Sequence, residues 1–145
     1  QDCIAPSYPL NESFVKLFLK LKKLVKRSWS IDLTYRIKKI NEVLRGWINY
    51  YRQASMKRAL ENKIGPWVRN AIRVVIWKQW KIPSKQISSL VKLGINEEEA
   101  KGLTYCRRGF QFKSHSCVIQ RAISNSRLKK KGLLDPLEYY LKPIA

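Results

Sequence analysis

The stretch Asp32-Leu33-Thr34-Tyr35-Arg36-Ile37-Lys38-Lys39-Ile40-Asn41-Glu42-Val43-Leu44-Arg45-Gly46-Trp47-Ile48-Asn49-Tyr50-Tyr51 decides the fold. Leu33, Ile37, Ile40, Leu44, Trp47 and Tyr51 recur at intervals of four and three, which lines one face of an α-helix and matches no strand alternation. Ser30 or Asp32 is placed to cap that helix. A seam of this length needs helices on both sides of it, so the expected class is all-α. Gly46, which costs roughly 1 kcal/mol against Ala inside a helix, reads as the mark of a close helix crossing.

The neighbouring segments carry the same periodicity. Upstream, Asn11 caps a helix with Glu12 in its first turn; Phe14, Leu17, Phe18, Leu21, Leu24 and Val25 form its apolar stripe. The other face is Lys16, Lys20, Lys22, Lys23, Lys26 and Arg27. Downstream, Ser55 opens a helix that Gly65-Pro66 is expected to interrupt, because proline suits a first turn and not an interior. From Pro66 to Trp80 the pattern is apolar nearly all round, which places this helix near the centre, and Pro83 stops it. Ser84 starts a shorter helix ending at Gly94, and Asn96 with Glu97, Glu98 and Glu99 opens another. A further helix is expected near 116–124, a stop at Lys129-Lys130-Lys131-Gly132, and a cap with first-turn proline at Asp135-Pro136. Trp47, Trp67, Trp77 and Trp80 all lie on apolar stripes and are read as packing residues.

The chain has 145 residues, about one domain by length, with 45% apolar residues and a formal charge of +20 from thirty Lys and Arg against ten Asp and Glu. That apolar fraction excludes a disordered polycation, and the charge on a folded domain points to a polyanion, nucleic acid before an anionic membrane surface. No membrane partner is expected, because the apolar stripes are committed to a core. Three cysteines and one histidine supply neither a disulfide framework nor a zinc finger, and fit a reducing, intracellular setting. The start Gln1-Asp2-Cys3 reads as a cut or a tag scar. Catalysis is not expected: Asp2, Asp32 and Asp135 are isolated, the only acidic cluster is a helix start, and phosphate-binding glycine loops do not occur. No cofactor is expected in this chain.

Binding chemistry is abundant. Lys16, Lys20, Lys23 and Arg27 stand at i, i+4, i+7 and i+11, one ridge able to follow a phosphate backbone. Glu12 aside, no acid lies between Asp2 and Asp32 to offset it. In Arg107-Arg108-Gly109-Phe110-Gln111-Phe112-Lys113 the guanidinium forks suit phosphates, while Phe110 and Phe112 either stack on unpaired bases or anchor the loop in the core. His115 is read as an ordinary loop or RNA-facing residue.

These motifs resemble a family. Arg45-Gly46-Trp47-Ile48-Asn49-Tyr50-Tyr51 resembles the R-G-W-x-N-Y-Y/F signature of group II intron reverse transcriptase/maturases. Trp77-Lys78-Gln79-Trp80-Lys81 and Lys92-Leu93-Gly94-Ile95 are similar to patterns of bacterial members, and Cys106-Arg107-Arg108-Gly109-Phe110 and Leu133 to Tyr140 to the family's closing motifs. Gly65-Pro66, where relatives usually run a continuous helix, and Cys106 in place of a common Ser are departures.

The resemblance implies the C-terminal part of such a protein: an elongated helical thumb bundle over 11–82, then a smaller domain X-like helical region over 83–145. The fingers and palm would lie upstream as a partner, with Mg2+ bound only there, and no HNH endonuclease segment follows. It implies a non-enzymatic module of a parent RNA-directed DNA polymerase, binding intron RNA to promote splicing and retrohoming. The alternative is a thumb clamp on the template/primer duplex. Carried over, Lys16, Lys20, Lys23, Arg27, Arg36, Arg45 and Lys78 become RNA contacts on the thumb side. Arg107, Arg108, Lys113, Lys129, Lys130 and Lys131 become those of domain X, while Gly46, Trp47, Asn49, Tyr50, Tyr51, Trp77 and Trp80 are structural motif positions. The implied location is the bacterial cytoplasm, or an organelle if the source is a eukaryote.

Overall fold

A computed structural model describes residues 11–26, 30–52, 55–109, 113 and 115–142; no strand occurs among them, and the class is all-α. The chain forms two compact units, Gln1–Val68 with Gly132–Ala145, and Arg69–Lys131. Packing therefore divides the chain at 68/69 and 131/132, whereas the resemblance suggested a functional division at 82/83.

In the first unit, α1 (Asn11–Leu24) packs on α2 (Leu33–Tyr50). Leu17 and Leu21 of α1 and Ile37, Ile40, Leu44 and Ile48 of α2 are buried, the three- and four-residue spacing that one helix face must supply. Phe14 tilts onto Trp47 at 5.2 Å, Trp47 onto Tyr51 at 4.9 Å, and Phe18 meets Trp67 edge-on at 5.3 Å. Asp32 stands at the N-cap of α2 without a side-chain cap bond.

The expected break at Gly65-Pro66 does not occur. Lys57–Ala59 (α3), a π turn over Leu60–Ile64 and α4 (Gly65–Gln79) follow one another without leaving helical geometry, and the N-cap is Met56 rather than Ser55. In the π turn the Gly65 N–H reaches back to the carbonyl of Leu60. The wider spiral falls where Pro66 has no N–H to give and its ring would press on the carbonyl four residues back. Met56, Leu60, Ile64 and Val68 stay buried through the change.

The closing segment returns to the first unit. The Asn41 side chain donates to the Gly132 carbonyl at 2.6 Å and accepts from the Leu134 N–H at 2.9 Å. Gly132, at φ +99°, makes the turn before it, and Asp135 caps α9 (Pro136–Leu141) by accepting from the Leu137 N–H. Tyr139 donates its hydroxyl to Asn49 Oδ1 at 3.1 Å.

The second unit holds most of α4 with α5 (Pro83–Lys92), α6 (Glu97–Thr104), α7 (Cys117–Ala122) and α8 (Asn125–Lys130). Asn96, Ser116 and Ser124 cap α6, α7 and α8 through their side-chain oxygens, and Gly94 at φ +95° turns α5 into α6. Trp77 is fully buried, with the edge of Trp80 against it at 5.9 Å.

Gly46 does not mark a helix crossing. It is exposed on α2, and a Cβ there would meet nothing within 4 Å. Gly46→Ala is thus expected to stabilise the fold by about 1 kcal/mol through helix propensity alone, seen as a higher urea midpoint with unchanged slope.

Candidate nucleic-acid interface

The structure sorts the basic residues into two populations. One faces inward and holds helix ends. Arg36, expected on the RNA-binding surface, is instead 2% exposed, and its Nη1 donates to the carbonyls of Leu24 and Lys26 at 2.8 and 3.0 Å. These carbonyls at the end of α1 have no onward helical partners, and a cation placed there also meets the negative end of the helix dipole. Burial lowers the Arg36 pKa, so the carbonyls must offset a desolvation cost. Arg36 is a structural residue.

Arg52, Arg73 and Arg127 do the same and were not singled out from the sequence. Arg52 Nη1 donates to the Lys142 carbonyl at 2.9 Å just past α9. Arg127 Nη1 takes the carbonyls of Ala122 at 2.7 Å and Leu93 at 3.0 Å. Arg73 donates from Nε to the Ile123 carbonyl at 2.8 Å and from Nη2 to Asn125 Oδ1 at 2.7 Å. Desolvation first, and the charge of Arg69 second, lower its pKa. Lys113, another expected RNA contact, is half-buried; its Nζ donates to the Thr104 carbonyl at 3.1 Å and sits 5.8 Å from the Trp77 ring centre. Its ammonium is engaged within the second unit.

The other population faces out. Lys16, Lys20 and Lys23 are exposed on one side of α1 and pair with no carboxylate among the described residues. Glu42, which lines the same groove as Lys16 and Lys20, pairs with Lys39 at 3.3 Å. The glutamate cluster is occupied elsewhere: Glu97 pairs with Lys101 at 3.2 Å, and Glu99 with Arg121 at 2.7 Å. Arg45, Lys78, Arg107, Arg108, Lys129, Lys130 and Lys131 are exposed as well. Arg27, Phe110 and Phe112 lie outside the described residues.

Among the described residues, a cavity in each unit touches the expected positions. In the first, Lys16 and Lys20 flank a groove of about 400 Å³ between α1 and α2, with Gly46, Trp47, Tyr50 and Tyr51 on its other side. Tyr51 shares a 2.7 Å hydrogen bond with Ser13, which fixes that wall. Tyr50, read from the sequence as structural, is 82% exposed. In the second unit Trp80 and Lys131 line a cavity of about 210 Å³ with Lys92 and Arg127. Among the described residues no group of three or more His, Cys, Asp or Glu could hold a metal ion, and no helix is long and apolar enough to cross a membrane.

Residues 16–93, more than half of the chain, match the sequence profile of a family described as "Group II intron, maturase-specific domain". No curated protein matches the chain.

Proposed function

Since this chain belongs to the group II intron maturase-specific domain family, we propose that it binds structured intron RNA through phosphate contacts and thereby promotes splicing and retrohoming. The observation that carries this reading is the ridge of Lys16, Lys20 and Lys23, exposed, spaced along one helix side and uncompensated by carboxylates. Lysine ammoniums placed so neutralise successive phosphates and release counterions, which supplies affinity without sequence readout. Arg45 on α2, and Arg107, Arg108, Lys129, Lys130 and Lys131 in the second unit, are further proposed contacts, each by its own exposed charge. The chain contributes binding and no chemistry; the reaction belongs to the RNA, and in a longer parent Mg2+ and polymerase activity belong to fingers and palm.

The experiment is splicing of a group II intron transcript at a magnesium concentration too low for the RNA to splice unaided. Added chain is expected to raise the fraction spliced, in proportion to RNA bound. Saturating binding with no gain in splicing would remove the maturase role and leave an RNA-binding module. Competition by a template/primer duplex for the same protein tests the clamp on reverse transcription: intron RNA is expected to win, and preference for the duplex would overturn this order.

A further inference from the structure

We infer that the groove between α1 and α2 accepts one unpaired nucleotide of a bound RNA, its base against Trp47 and Tyr50 and its phosphate on Lys16 and Lys20. This rests on the RNA-binding reading above and adds a site that distinguishes unpaired from paired RNA. The volume of about 400 Å³ falls in the range of small-molecule sites, about 300–1,000 Å³.

Its two sides differ in the way a nucleotide does. The α1 side offers two exposed ammoniums. The α2 side offers aromatic rings: Trp47, half-buried and braced by Phe14 at 5.2 Å and Tyr51 at 4.9 Å, and Tyr50, 82% exposed and nearly at right angles to Tyr51 at 4.8 Å. A tyrosine so exposed adds little to the core, and aromatic faces stack on any base. Gly46, on the α2 side, has open space where a Cβ would stand, so a base can approach the α2 backbone there. Glu42 also lines the groove, and its carboxylate is taken up by Lys39. A regular duplex keeps its bases stacked inside and presents only phosphate to the lysines, leaving the aromatic side unused.

The test compares two short RNA duplexes, one fully paired and one with a single central unpaired nucleotide, in fluorescence anisotropy with the full chain at one salt concentration. The wild-type chain is expected to bind the bulged duplex about tenfold more tightly, the order of one base-aromatic stack. Gly46→Leu fills the groove from a position where a Cβ meets nothing, so it is expected to keep helicity and paired-duplex affinity and to lose the preference. Tyr50→Ala, at an exposed residue, is expected to reduce the preference severalfold. Equal wild-type affinity for the two duplexes, or an undiminished preference in Gly46→Leu, would overturn the pocket while leaving phosphate binding standing. Failure to bind either duplex would overturn the RNA-binding reading and the pocket with it.

Discussion

Replacing Lys16, Lys20 and Lys23 together by Ala is expected to weaken RNA binding roughly a hundredfold at about 0.1 M monovalent salt, and to flatten the log-log salt dependence by about 2. Counterion release sets both figures. Each lost phosphate contact removes about 0.7–0.9 from the slope, so at about 0.1 M salt three contacts amount to a little over two decades of affinity. The side chains are exposed and Ala is the stronger helix former, so α1 should survive the change. A salt titration of the triple variant beside the wild type measures both quantities. A parallel shift with no change of slope would mean that these lysines act other than on phosphates.

The largest stability effect is expected at Arg73. Its guanidinium is buried, and Arg73→Ala leaves the Ile123 carbonyl without its 2.8 Å donor, together with a void among α4, α7 and α8. An orphaned buried acceptor costs about 1–3 kcal/mol and a large-to-small change in a core about 2 or more, so a loss of about 3–5 kcal/mol is expected. Arg73→Met restores volume without donors and should fall between Ala and wild type. Urea unfolding followed by circular dichroism gives the values. A loss below about 1 kcal/mol would show that water replaces the guanidinium at little cost.

The contrast between these variants reflects what could be read from the residue order. Helices were legible because their signals are local: the four- and three-residue spacing of Leu33 to Tyr51, the oxygens of Asn96 and Ser116 at helix starts, Gly94 and Gly132 at helix ends. The Lys16–Lys23 ridge was legible for the same reason, since spacing along one helix fixes a common side. The role of Arg36 was not, because its acceptors Leu24 and Lys26 lie across the connection between α1 and α2, and an arginine among lysines carries no mark of the direction it faces. Arg73 finds its partners 50 and 52 residues away, and Asn41 and Asn49 on α2 bind groups about ninety residues further along.

Two glycine-bearing sites misled for a different reason. At Gly46 the missing Cβ leaves room not for another helix but for solvent, in a groove that only the packing of α1 on α2 creates. At Gly65-Pro66 the local rule against proline in a helix held for an ideal α-helix, and the chain met it with one π turn instead of a break. In both cases tertiary packing, absent from the local pattern, decided the outcome.

The outward-facing cations of this fold are expected to bind group II intron RNA through its phosphates. The salt dependence of wild-type affinity for a group II intron RNA tests it most directly. Several phosphate contacts predict a log-log slope steeper than about −2, and a slope shallower than that would mean that phosphate contacts do not carry the binding.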